Sequence, residues 1–209
     1  MNSRAIPLTI CEENPFVVAQ EWLNLAEDSE VNDFNAMALA TSDSDGLPDV
    51  RMVLLKGFDE RGFVFYTNMT SAKGNEIKAN PQAAINFHWK SLLRCMRARG
   101  PLVRVSEAES DAYFQSRSRG SRLASMASDQ SSPLASREEL LERIAKLEGQ
   151  FGANDEDGEV LTRPDHWYGH RLVPLYFELW QDGQYRIHDS FVYRRKDVNA
   201  PWFVERLSP

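Results

Sequence analysis

Five short apolar runs, packed between residues 36 and 106 and separated by turns, constrain this chain more than any other feature. They are Ala36–Thr41, Val50–Lys56, Phe63–Thr67, Ala83–Lys90 and Arg94–Ser106. Ser42-Asp43-Ser44-Asp45-Gly46 and Asp59-Glu60-Arg61-Gly62 are turn signals between them. Strands this short and this close together close into a small barrel or sandwich. A doubly wound parallel sheet needs a helix-sized crossover after each strand. The one short helix in the region, Ser71–Ala79, stops at Asn80-Pro81.

Helices flank this strand-rich block. Asn14-Pro15 opens the first, with Asn as N-cap and Pro at the first helical position, and Phe16, Val17, Leu23 and Ala26 recur at helical spacing. Glu107–Ser116 and Gly120–Ser128 follow the strands. A third helix starts at Ser136, where Glu139 completes a capping box, and carries the stripe Leu140, Leu141, Ile144, Leu147 and Phe151. Residues 152–166 are acidic and irregular. Strands return at Leu175–Gln181, Tyr185–Arg195 and Trp202–Leu207. The expected fold class is mainly β with flanking helices (α+β). Residues 1–13 form an N-terminal arm, and residues 14–209 form one domain.

The 209 residues carry a net charge of −7, which argues against a general nucleic-acid binder because phosphate neutralisation dominates that affinity. Cys11 and Cys95 lie far apart without metal-ligand spacing, so neither a disulfide framework nor a metal site is expected. No apolar run reaches the length of a membrane span, and no signal-peptide pattern is visible. The expected location is the cytoplasm.

Against this acidic background, cations and hydroxyls are concentrated in a few segments. Lys73 sits in the first turn of the Ser71 helix, where it opposes the helix dipole unless an anion joins it there; the competing reading is a solvated lysine. Ser116–Arg122 holds three arginines and three serines in seven residues, with Tyr113 one helical turn before Arg117. It reads equally as a phosphate site or as a basic turn pairing with Glu107, Glu109 and Asp111. In Tyr185-Arg186-Ile187-His188-Asp189, strand alternation puts Arg186 and His188 on one polar face and Ile187, Phe191 and Tyr193 on a core face. Arg51 and Lys56, five apart, fall on opposite faces of a straight strand, and Val53-Leu54-Leu55 between them reads as buried. No P-loop, G-x-G-x-x-G, H-E-x-x-H or G-x-S-x-G pattern is present.

Taken in order, Arg51–Asn68, Ser71–Ala84, Glu109–Ser121, Asp129–Ser132, Glu178–Gln181, Tyr185–Asp189 and Glu205–Pro209 resemble the pyridoxamine 5′-phosphate oxidase family. The resemblance covers nearly the whole chain. It implies a homodimeric split β-barrel with FMN at the subunit interface, held by Arg51, Met52, Val53, Leu54, Leu55, Lys56, Tyr66, Thr67, Lys73, Gln130, Ser131 and Trp180. It implies that Lys56, Tyr113, Arg117 and Ser121 bind the phosphate of a B6 vitamer, and that Arg186 and His188 serve the substrate ring and the catalytic step. The implied reaction oxidises pyridoxamine or pyridoxine 5′-phosphate to pyridoxal 5′-phosphate, with oxygen as acceptor and hydrogen peroxide as product. No nucleic acid or membrane takes part.

The chain departs from the family pattern at Ala72, Cys95 and Ser190, where the family usually has a basic residue, glutamine and arginine in the FMN shell. Met126 and Asp129 replace a usual tryptophan and lysine, Tyr168 and His170 interrupt a usual Trp-Gly-Gly-aromatic-Arg run, and an N-terminal Arg-x-x-Tyr is absent. Two other readings follow from these departures: a split-barrel flavoprotein acting on another ring, such as a phenazine precursor, and a non-catalytic binder of B6 phosphates with weak FMN affinity.

Overall fold

A computed structural model of the chain describes residues 14–155 and 159–209; the expected N-terminal arm and residues 156–158 of the acidic loop lie outside them. Helix α1 (Pro15–Ser29) opens as expected, Asn14 Oδ1 accepting from Phe16 N at 3.0 Å. Strands β1 (Ala36–Ser42), β2 (Pro48–Leu54), β3 (Gly57–Asp59) and β4 (Gly62–Asn68) precede α2 (Ala72–Ala79). β5 (Gln82–Trp89) and β6 (Arg94–Arg104) complete the first block. Helices α3 (Glu107–Ser116), α4 (Arg119–Ala127) and α5 (Arg137–Phe151) then lead to β7 (Trp167–Leu172), β8 (Tyr176–Gln181), β9 (Asp189–Arg194) and β10 (Phe203–Leu207).

All the strand pairs are antiparallel, in the order β10-β9-β8-β6-β5-β1-β2, with β3, β4 and β7 joined through β6. β6 is the strand shared by both halves. Its Arg94–Arg99 stretch pairs with β8, while Leu102–Arg104 pairs with β7. The crossover falls at Gly100-Pro101. A Cβ at Gly100 would sit 2.0 Å from the carbonyl oxygen of Val173, so only glycine lets the two backbones approach here. The barrel core is dominated by aromatic residues: Phe63, Phe65, Phe87, Phe177 and Tyr193 are fully buried, with Phe16 and Trp202 packing edge-on against Phe177. A second, smaller core of Phe114, Leu123, Leu161 and Trp167 ties α3 and α4 to the start of β7.

Three expectations need correction. β7 was not anticipated as a strand. α5 buries none of its stripe fully: Ile144, Leu147 and Phe151 pack only partly on the second core, and Leu141 is exposed. β2 is not a buried strand, since Met52 and Leu54 face outward and only Leu55 beyond it is buried.

Candidate active site

The largest concentration of expected site residues surrounds one cavity of about 510 Å³. Met52, Val53, Leu54 and Lys56 form one wall, Tyr66, Thr67 and Lys73 the floor, and Tyr113, Arg117, Ser121 and Gln130 the opposite side. The chain brings them together because β4 pairs with β7, which places Asn68 opposite Trp167 and carries the α3–α4 corner over the strand. Tyr66 and Tyr113 stack with centroids 4.0 Å apart, and Trp167 extends the stack at 5.1 Å from Tyr66. The Arg117 guanidinium lies 5.1 Å from the Trp167 ring centre and donates to Ser125 Oγ at 2.7 Å.

Lys73 is not the solvated lysine of the competing reading. It is buried, and its Nζ donates to Gln130 Oε1 at 2.8 Å and lies 3.5 Å from Ser71 Oγ. Ser71 also caps α2, accepting from Gly74 N at 3.3 Å. Burial, and after it the nearby Arg51 charge, hold the Lys73 ammonium below its usual pKa. Burial likewise lowers Arg117 and raises Tyr113, and it pushes the Tyr66 phenol up to about 12. Both phenols therefore stay neutral at ordinary pH and can donate a hydrogen bond.

Lys56, Lys73 and Arg117 are the cations of the cavity, and no aspartate or glutamate is among its described lining residues. Cations held with neutral partners are what anionic groups need. The aromatic-lined space, with Lys73 at the start of α2 and Arg117 at the α3–α4 corner, has the donor set that phosphorylated ligands require.

The seven-residue basic segment divides. Arg117 lines the cavity, whereas Arg119 and Arg122 are buried structural ties. Arg119 donates to the carbonyls of Phe151, Gly152 and Glu159 at 2.5, 2.7 and 3.0 Å, and both arginines reach Asp155. The carboxylates expected to neutralise the segment go elsewhere: Glu107 and Asp111 to Arg163, Glu109 to Arg171.

Several expected residues do not line this cavity. The Arg51 guanidinium is occupied by Asp49 at 2.7 Å, Glu76 at 2.8 Å and Thr41, although Lys56 reaches the cavity as the five-residue spacing allows. Leu55 is buried, and Ser131 is exposed with a left-handed φ of 72°. Trp180, Arg186 and His188 are likewise absent from the lining of this cavity. Here the expected strand face is corrected: Gln184–Arg186 is a 3-10 turn with Tyr185 and Arg186 at φ 57° and 66°, and β9 begins only at Asp189. Ile187 is consequently exposed rather than core. A Cβ at Gly183 would lie 1.7 Å from Ile187 O, so the turn closes only over glycine. His188 Nδ1 lies 3.1 Å from both Gly183 N and Asp182 Oδ1, and its ring meets Trp180 at 4.7 Å.

Sequence reasoning did not assign Asn68, Ser125, Ser128, Leu140 or Trp167 to the cavity. The serines carried a usable signal, since Ser121, Ser125 and Ser128 repeat at the helical period.

The family described as "Pyridoxamine 5'-phosphate oxidase" matches residues 26–151, and "Pyridoxine 5'-phosphate oxidase C-terminal dimerisation region" matches residues 167–209. A pyridoxine/pyridoxamine 5′-phosphate oxidase of Gluconobacter oxydans is 52% identical over 98% of this chain and 98% of its own. A second such oxidase, from Ralstonia nicotianae, is 51% identical over 96% and 92%. Among solved structures, PhzG from Burkholderia lata in complex with tetrahydrophenazine-1-carboxylic acid superposes with a TM-score of 0.89 at 30% identity, covering all of both chains.

Proposed function

This chain belongs to the pyridoxamine 5′-phosphate oxidase family, and from that premise we propose how its residues divide the work. The activity is the FMN-dependent oxidation of pyridoxamine and pyridoxine 5′-phosphates to pyridoxal 5′-phosphate, with oxygen as acceptor. FMN, when bound, would supply the two-electron redox chemistry, with oxygen as terminal acceptor and hydrogen peroxide as product, the amine substrate taking up water and releasing ammonia. One observation carries the assignment of residues: Lys56, Lys73 and Arg117 line a single cavity whose described lining residues include no aspartate or glutamate.

Lys73 and Gln130 hold the flavin phosphate, beside the Met52–Leu54 edge and Thr67. Lys56, Tyr113, Arg117 and Ser121 hold the substrate phosphate, the two neutral donors Tyr113 and Ser121 completing what the cations begin. The aromatic stack of Tyr66, Tyr113 and Trp167 excludes water from that side. Arg186, His188 and Trp180 come from a second copy of the chain, Arg186 holding the substrate ring in place and His188 beside it. Their absence from the cavity lining within one chain supports this reading, as do the dimerisation region at residues 167–209 and the exposed Tyr185, Ile187 and Met52. The partners are thus a second copy, B6 phosphates and oxygen, and the cytoplasm is the proposed compartment.

The test is peroxide and pyridoxal phosphate formation by purified protein given pyridoxamine 5′-phosphate, oxygen and graded FMN. Coupled, FMN-dependent formation of both products is expected. Turnover of a phosphate-free ring in preference would overturn the reading, since such a substrate has no use for Lys56, Arg117 and Ser121.

A further inference from the structure

A smaller recess of about 180 Å³ opens on the outer face of the main sheet, lined by Asn86, Cys95, Arg97, Glu178 and Trp180. The register explains the grouping. Asn86 pairs with Arg97 across β5 and β6, and Arg97 with Glu178 across β6 and β8. In the adjoining row Cys95 pairs with Trp180, and Trp180 with Ser190 across β8 and β9. Residues opposite one another in a ladder project to the same side, so the two rows tile one floor beside the Trp180–His188 contact.

Glu178 organises that floor. It accepts from Arg97, from Tyr176 Oη at 2.8 Å and from Ser190 Oγ at 3.1 Å. Burial pushes its carboxyl up, but the Tyr176 and Arg97 hydrogen bonds outweigh that and hold it below the usual range. These three donors hold the Glu178 carboxylate in place, and its bond to Arg97 fixes a half-exposed side chain. Only Nη2 of that guanidinium is engaged; Nε and Nη1 have no partner among the described residues. The recess therefore offers unspent guanidinium donors, next to an aromatic face and an amide. That donor set suits the carbonyl-bearing edge of a flavin ring, which also gains negative charge on reduction.

We propose that Arg97 is a flavin-binding residue, held by Glu178 beside Trp180 and supplying from the sheet face the cation that Ser190 does not provide. The inference rests on the reading that FMN binds between subunits with Trp180 in its shell. It adds a residue that the family pattern did not single out, and it accounts for the loss at position 190: the serine hydroxyl already bonds the carboxylate that now holds Arg97.

The experiment titrates full-length protein into free FMN and follows flavin fluorescence, for wild type, Arg97→Gln and the double variant Arg97→Gln/Ser190→Arg. A charge-assisted hydrogen bond lost in a covered site raises the dissociation constant by at least about tenfold in Arg97→Gln. The double variant is expected to recover most of that loss. The midpoint potential of bound flavin should fall in Arg97→Gln and return in the double variant, a readout that a purely structural arginine does not move. An unchanged constant in Arg97→Gln, beside a wild type that binds FMN, overturns the inference and leaves the functional reading standing. So does a loss that Ser190→Arg fails to restore, which marks Arg97 as a packing element. A wild type that binds no FMN overturns the functional reading, and the inference with it.

Discussion

Replacing His170 by phenylalanine tests the electrostatics of the barrel wall directly. His170 lies on β7 opposite Phe65, is 5% exposed, and its Nδ1 has no hydrogen-bond partner. Burial, with the Arg104 charge adding to it, lowers its pKa to about 4 from an ordinary 6.5. The folded-state value is depressed, so the neutral imidazole supports the fold above pH 6.5, and that support drains away as pH falls towards 4. Over the full window the loss approaches about 3 kcal/mol, of which about 2 kcal/mol falls between pH 7 and pH 5. Phenylalanine keeps a ring at the site, where its stacking partner Phe65 sits at 6.1 Å, and removes both the titration and the orphaned nitrogen. Urea unfolding of the two proteins at pH 7 and pH 5 gives four stabilities. The wild type should lose about 2 kcal/mol more than His170→Phe on acidification, and the variant should already be the more stable at pH 7 by about 1 kcal/mol or more. Parallel losses in the two proteins would refute the reasoning, because the other titrating groups are common to both.

Four further outcomes follow from the site. Arg117→Ala should raise KM for pyridoxamine 5′-phosphate by about 10- to 100-fold, the value of a charged hydrogen bond, while the FMN dissociation constant stays within about threefold. Arg186→Ala should greatly reduce kcat/KM with FMN binding largely retained, and equal catalytic efficiency would remove its assigned role. Because the Lys73 ammonium is depressed, FMN affinity should fall as pH rises through a midpoint below 10.5, the value for a free lysine, and Lys73→Gln should abolish that step in a fluorescence titration. Arg119→Ala should cost about 3 kcal/mol in urea unfolding by removing the donors of the Gly152 and Glu159 carbonyls and one partner of Asp155, yet leave KM near wild type.

Much of this architecture was readable before any coordinates, for local reasons. The turns at Asp43–Gly46 and Asp59–Gly62 and the caps at Asn14 and Ser136 act over a few residues, and each appears where the residue types demand. What escaped depends on distant partners. Trp167–Leu172 is buried on nearly every residue, so it lacks the alternation that identifies a half-covered strand. Tyr185 and Arg186 adopt left-handed backbone that alternation cannot express, so β9 starts four residues later than the pattern from Tyr185 predicts. Arg117, Arg119 and Arg122 look alike in sequence. They separate only because Arg119 and Arg122 share one face of α4 and meet Asp155, more than thirty residues later.

The shared strand β6 also sets a timetable. β1, β2, β5 and β6 can pair as soon as residue 104 exists, but β4, paired early only with the short β3, must wait for β7, about a hundred residues downstream. Pairings of such separation are slow, because chain entropy is lost before contacts return it. Trp167, the ring that completes the Tyr66–Tyr113 stack, arrives with that same late strand. A nascent chain stalled before residue 167 therefore lacks both the strand that closes this half of the barrel and the ring that completes the cavity wall.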